Sequence, residues 1–137
     1  LWKVNEAKSD NFAFVFDRSF FKDSRYAETV SSMKEFAVKI GLSKVEEVQY
    51  GGAAMNAMWL AQQNAGCYLK YPQEKGGSIW DYGASNCIYK ELGLSVSDIY
   101  GNEMELNRKE STHMNHNGIL FATNDKISSF VSKFFRD

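Results

Sequence analysis

The sequence predicts an α/β domain in three layers, with helices on both faces of a mostly parallel mixed sheet. Three observations carry that expectation. Short apolar runs alternate with amphipathic helical stretches along the chain, the pattern of strands joined by crossover helices. Several helical stretches are bounded by capping residues and glycines. And 137 residues with 44% hydrophobic and 15% aromatic content suffice for one domain, residues 1–137, with its own core.

The elements follow in order. Phe12-Ala13-Phe14-Val15-Phe16 reads as a buried strand that runs into the polar loop Asp17-Arg18-Ser19. A helix is predicted from about Ser24 to Ile40, because Val30, Met33, Phe36, Ala37 and Ile40 recur at three-and-four spacing and Gly41 stops it. Val45 to Tyr50 alternates as a strand. Gly51-Gly52 then opens an Ala- and Met-rich helix that reaches about Asn64, and Gly66 ends it. Cys67 to Tyr71 is a third strand, followed by a polar loop from Pro72 to Ser78. A third helix is expected from Tyr82 to Leu92, with Asp81 as its N-cap and Gly93 after its end. Leu94 to Ser97 reads as a strand and Asp98-Ile99-Tyr100-Gly101-Asn102 as a turn. Gly118 to Thr123 is the last strand. Asn124 caps a final helix whose apolar face is Ile127, Phe130, Val131, Phe134 and Phe135.

Composition excludes some functions. A formal net charge of -1 attracts neither nucleic acid nor an anionic membrane. The apolar runs fall far short of the ~20 residues of a membrane span, and the start, Leu1-Trp2-Lys3-Val4-Asn5-Glu6, carries no long apolar stretch like that of a secretory leader. Cys67 and Cys87 are too few for a disulfide framework and read as reduced core residues of a cytoplasmic protein.

In an open α/β sheet, ligands collect beyond strand ends and at helix N-termini. That directs attention to the Gly51-Gly52 turn, the Lys70 to Ser78 loop and the Trp80-Asp81 entry, and the spacing of two histidines adds a fourth place. Asp81 is either a helix cap or an oxygen ligand for a hard cation such as Mg²⁺, held by a rigid helix start and anchored by bulky Trp80. Gly51, Gly52 and Ala53 form either a plain turn or a place where a ligand meets backbone N–H groups at the positive end of a helix. Lys70, at a strand end, is either solvated or a point charge for a phosphate. His113 and His116 have the spacing of a metal pair, but the Asn-rich stretch around them favours a structural or solvated role. Phosphate-loop, dinucleotide, nucleophile-elbow and paired-cysteine zinc patterns are absent from the sequence.

The segment from Gly77 to Gly93, with its Trp80-Asp81 pair, small residues in the first helical turn and closing glycine, resembles the second signature of the inositol monophosphatase family. Asp98-Ile99-Tyr100-Gly101 is similar to that family's Asp-x-x-Gly turn, and Gly118 to Thr123 to its late Gly-Ile-x-x-Ala strand. Gly51 to Asn56 followed by Cys67-Tyr68-Leu69 is similar to the preceding helix and strand, so the likeness runs from about Asp17 to Lys133. It implies the C-terminal half of a sugar-phosphatase fold and a Mg²⁺-dependent, lithium-sensitive phosphatase. Asp81 would be a metal ligand, Gly51, Gly52 and Ala53 the substrate-contacting turn, and the ligand a small phosphorylated metabolite; a homodimer is compatible with it.

Lys70 falls where inositol monophosphatases carry an acidic residue that contacts the sugar ring. Bisphosphate nucleotidases, which act on 3′-phosphoadenosine 5′-phosphate, tend to carry a basic residue there. Tyr68 to Pro72 and His113-Met114-Asn115 also look nucleotidase-like, whereas Ala53-Ala54-Met55-Asn56 looks like an inositol phosphatase. Arg18-Ser19-Phe20 has Phe where many members have His, and Met55 stands where some nucleotidases carry Lys. The family's first half supplies a Gly-Glu-Glu segment and an Asp-Pro-x-Asp-Gly-Thr motif with most metal ligands. Pro72 is the only proline, so that motif is not in this sequence. The expectation is therefore that an N-terminal half is missing, that it is the chief partner of this chain, and that the chain alone is inactive. The alternative from another class is a non-catalytic binding or assembly module that retains the fold.

Overall fold

Residues 3–4 and 9–137 are described by a computed structural model. The chain runs β1 (Asn11–Val15), a short 3₁₀ turn (Arg18–Lys22), α1 (Tyr26–Lys39), β2 (Lys44–Val48), α2 (Ala53–Ala61), β3 (Gly66–Lys70), α3 (Ile79–Glu91), β4 (Ser95–Ser97), a second 3₁₀ turn (Asn115–Asn117), β5 (Ile119–Ala122) and α4 (Asp125–Arg136). The five strands form one sheet in the order β2-β1-β3-β5-β4. β1 pairs parallel with both β2 and β3, and β5 pairs antiparallel with both β3 and β4. Four strands thus share one direction and β5 opposes them, which is the mostly parallel mixed sheet expected.

The alternation of side chains along β1 explains the layers. Phe12 and Phe14 project to one face, where α1 and α4 cover them with Met33, Phe36, Ala37, Ile127 and Val131. Ala13 and Val15 project to the other, against Ala57, Leu60 and Ala61 of α2 and Tyr82 and Tyr89 of α3. The Tyr89 hydroxyl donates to the Ala57 carbonyl at 2.6 Å and ties α3 to α2. Gly66 lets β3 start close to β1, because a Cβ there would lie 2.3 Å from the Ala13 carbonyl oxygen.

Several boundaries differ from expectation. β2 ends at Val48, so Gln49 and Tyr50 belong to the loop after it. α2 ends at Ala61 instead of reaching Asn64. α3 begins at Ile79 with Ser78 as N-cap, which makes Asp81 the third residue of the helix rather than its cap. The strand–helix alternation breaks between β4 and β5, where no crossover helix intervenes. Strands neighbouring in the sheet without a crossover pair antiparallel, which is why β5 runs against the rest. Cys67 is buried as expected, but Cys87 is exposed on α3 and is not a core residue; both thiols are free. Asn124 does cap α4, accepting the Ile127 N–H at 3.0 Å. Among the described residues no helix is long and apolar enough to cross a membrane.

Candidate active site

The parallel register sets the C-terminal ends of three strands side by side: Val15 of β1 lies opposite Val48 of β2 and Tyr68 of β3. The residues just beyond those ends, Asp17 and Arg18, Gln49 to Gly52, and Lys70, therefore converge. Together with Gly77, Asp81 and the start of α2 they line an open cleft of about 400 Å³. Every residue singled out from the sequence as a metal or substrate contact, namely Gly51, Gly52, Ala53, Lys70 and Asp81, faces it.

The glycine turn leaves the start of α2 open. Gly52 is the N-cap of α2 with φ -71° and brings no side chain to the helix start. A Cβ on it would meet nothing within 4 Å, so neither backbone strain nor packing demands glycine here. What glycine leaves is space above the first-turn N–H groups of α2, where the helix dipole favours an anion. Asn56, buried one turn along, fixes the turn by accepting the Gly51 N–H at 3.1 Å and donating to the Gly51 carbonyl at 3.0 Å.

Lys70 is neither solvated nor free. Its ammonium pairs with the Asp17 carboxylate at 2.5 Å, and the two side chains are 18% and 25% exposed. The other Asp17 oxygen accepts from the Tyr68 hydroxyl at 3.1 Å and from the Asn56 amide at 3.3 Å. The backbone holding Asp17 is anchored too. Its carbonyl accepts the Phe20 N–H at 2.9 Å, and Phe20 stacks on Tyr71 with ring centroids 4.6 Å apart. Burial opposes the charge on Lys70, yet Tyr82 and Asp17 outweigh it and hold the ammonium pKa above its usual value. Tyr82 sits under the site with its phenol pKa raised by burial, Lys70 pulling the other way. Gly77 passes over it at φ +48°, where a Cβ would lie 2.3 Å from the Tyr82 hydroxyl. Asp17 carried no motif. The available signal was its position, a carboxylate two residues past the end of a buried strand.

Asp81 accepts the Ser78 backbone N–H at 2.7 Å through one carboxylate oxygen, in a capping box at the start of α3. Trp80 does not anchor it, being 71% exposed. His113 and His116 lie outside the cleft lining. The segment around His113 serves the backbone: Met114 N–H donates to the Gly77 carbonyl at 2.8 Å and Gln73 N–H to the Asn115 carbonyl at 2.7 Å, pinning the loop before α3. Among the described residues no group of three or more His, Cys, Asp or Glu could hold a metal ion. Asp81 has the right donor chemistry for Mg²⁺, but these residues stop short of a complete site.

The profile of the inositol monophosphatase family matches residues 8–132. The chain belongs to this family. Its fold is similar to that of solved structures of an inositol monophosphatase from Anabaena (Nostoc) sp. PCC 7120, at TM-score 0.60 and 17% identity, and of the extragenic suppressor protein SuhB from Bartonella henselae, at TM-score 0.53 and 16% identity. The alignments cover 98% and 96% of this chain but 47% and 44% of those structures, so it spans about half their length. At these identities the likeness speaks for the fold. The cleft thus lies on an inositol monophosphatase-family sheet, at the carboxyl ends of its parallel strands.

Proposed function

We propose that the complete protein hydrolyses a small phosphate monoester of the inositol phosphate type, with Mg²⁺ as cofactor, and that this chain supplies the phosphate cradle and one metal ligand. The observation that supports this reading is the convergence of the open α2 N-terminus, the Lys70–Asp17 pair and Asp81 on one cleft. The first-turn N–H groups of α2 would orient the phosphate, with Gly52 keeping the approach clear. Asp81 would contribute a carboxylate oxygen, keeping its other oxygen on Ser78 so that the ligand stays fixed. Mg²⁺, when bound, neutralises phosphoryl charge and lowers the pKa of an attacking water. One carboxylate cannot hold it alone, so the remaining ligands would come from a further segment of the protein.

The test is Mg²⁺-dependent phosphate release by the complete protein from inositol monophosphate and from 3′-phosphoadenosine 5′-phosphate, with Asp81→Asn beside it. Asn can still accept the Ser78 N–H, so stability falls by less than about 1 kcal/mol. Activity falls on the order of a hundredfold or more, with a raised Mg²⁺ requirement. The 137-residue chain by itself releases no phosphate above background. Wild-type activity and Mg²⁺ dependence in Asp81→Asn would return Asp81 to a purely structural role.

A further inference from the structure

We infer that Asp17 is a specificity-determining residue that masks the charge of Lys70, so that the cleft accepts a monophosphate and gives no advantage to a ligand bearing a second phosphate. The inference rests on the reading of the cleft as a phosphate site and adds the ligand class it selects.

Three observations carry it. Lys70 is the less exposed of the two cations lining the cleft, the other being the exposed Arg18, and it is bound to Asp17 at 2.5 Å. Asp17 cannot swing aside, because Tyr68 and Asn56, both fully buried, hold its other oxygen. The cost of separation is therefore lopsided. For Lys70 to leave and meet a second phosphate, a partly buried carboxylate would lose its counter-ion while a further dianion arrived beside it. Among the described residues, two lining cations already stand against the two lining carboxylates Asp17 and Asp81. What the pair does offer is an acceptor and a donor side by side. Hydroxyl groups match that arrangement, since each can donate to the carboxylate and accept from the ammonium. A polyol monophosphate uses both; a second phosphate can use only the ammonium and is repelled by the carboxylate.

The same network explains how the selection is transmitted. Asn56 bonds Asp17 and both backbone groups of Gly51, so one buried side chain ties the glycine turn to the Lys70–Asp17 pair. A ligand that disturbs the pair also disturbs the turn.

The experiment uses the 137-residue chain, with NMR signals of the Lys70 side chain and of the Gly52 to Ala54 amides followed during titration. The probes are inorganic phosphate, inositol monophosphate and 3′-phosphoadenosine 5′-phosphate. In the wild-type chain inorganic phosphate leaves the Lys70 signals in place. In Asp17→Asn it shifts them, and affinity for the bisphosphate rises roughly tenfold relative to the monophosphate, as expected for removing one nearby charge in a partly exposed cleft. Adding Lys70→Met to Asp17→Asn cancels the gain. Asp17→Ser, which also removes the charge, repeats the comparison should the Asn variant unfold. Unchanged Lys70 signals and an unchanged affinity ratio in folded Asp17 variants whose Gly52 to Ala54 amides still respond to phosphate overturn the inference. So does a wild-type preference for the bisphosphate that Lys70→Met abolishes. Failure of the underlying reading looks different: no probe then moves the Gly52 to Ala54 amides in the wild type or in either Asp17 variant.

Discussion

Asn56 and Tyr89 show how single polar groups organise this interior. Each is fully buried in an otherwise apolar layer, and each is there because its hydrogen bonds join two elements. Tyr89→Phe keeps the ring but removes the bond to the Ala57 carbonyl, leaving that acceptor without its phenolic donor. The expected loss is about 1–2 kcal/mol, read from urea unfolding midpoints at unchanged m-value; a loss indistinguishable from zero would mean that water replaces the phenol. Which residues form the cleft was largely legible from the sequence. Gly51, Gly52, Ala53, Lys70 and Asp81 all mark helix starts or strand ends, and those are the places where a parallel sheet presents chemistry. What Lys70 does there was not legible. Its partner Asp17 is 53 positions away and meets it only because β1 and β3 pair in parallel. Cys87 was misread because an apolar neighbourhood in sequence says little about which side of a helix a residue occupies.

At the scale of elements, helix starts are set by backbone N–H groups that need acceptors, and the three helices at the cleft and beyond it solve this differently. α4 uses Asn124, whose side chain takes the Ile127 N–H. α3 uses the Ser78–Asp81 box. α2 leaves its start uncapped by a side chain, and it opens onto the cleft beside the capped start of α3. Asn124→Ala should cost about 1 kcal/mol, with faster amide exchange confined to the first turn of α4 and no change at the cleft. Exchange that accelerated across the sheet as well would show that the cap supports more than its own helix. Helix existence was readable from apolar spacing, as in Val30, Met33, Phe36 and Ala37, all of which are buried. The first residue of α3 was not, because Ser78 and Asp81 are both acceptable caps and the choice falls to Ser78, held by an isolated bridge to His113.

For the whole molecule, buried aromatic hydroxyls give the stability a definite pH dependence. Burial, with Glu47 nearby, pushes the Tyr26 phenol up to about 12, and burial pushes Tyr71 up to about 12 although Thr29 opposes it. Burial also raises Tyr68, Tyr82, Tyr89 and the Cys67 thiol, and Lys70 is raised by its partners. Every one of these shifts is upward from ordinary values of 9.0 to 10.5, so the fold favours the protonated forms. Their contribution is complete below about pH 9 and is lost as pH rises through the folded-state values. Urea midpoints should stay level between about pH 7 and 8.5 and fall steadily toward pH 12; a midpoint that rose over that interval would contradict the sign. The α/β class and two-sided layering were readable from the alternation of Phe12, Ala13, Phe14 and Val15. The reversed direction of β5 was not, since an apolar run such as Ile119 to Ala122 looks the same in either orientation.

The place of β5 between β3 and β4 has a consequence in time. β1, β2 and β3 with their helices all precede β4 and β5 in the chain, so the three-stranded part of the sheet can pair before β5 is made. β5 comes about fifty residues later. At a synthesis rate of about 5–20 residues per second, the outer edge of β3 waits on the order of several seconds for its partner. During that interval the half-built sheet ends in the apolar strand Gly66 to Lys70, with unpaired backbone groups open to any other extended chain. The nascent sheet is thus open to mispairing at the strand that carries Lys70, and a chaperone that shields an emerging sheet edge would act there.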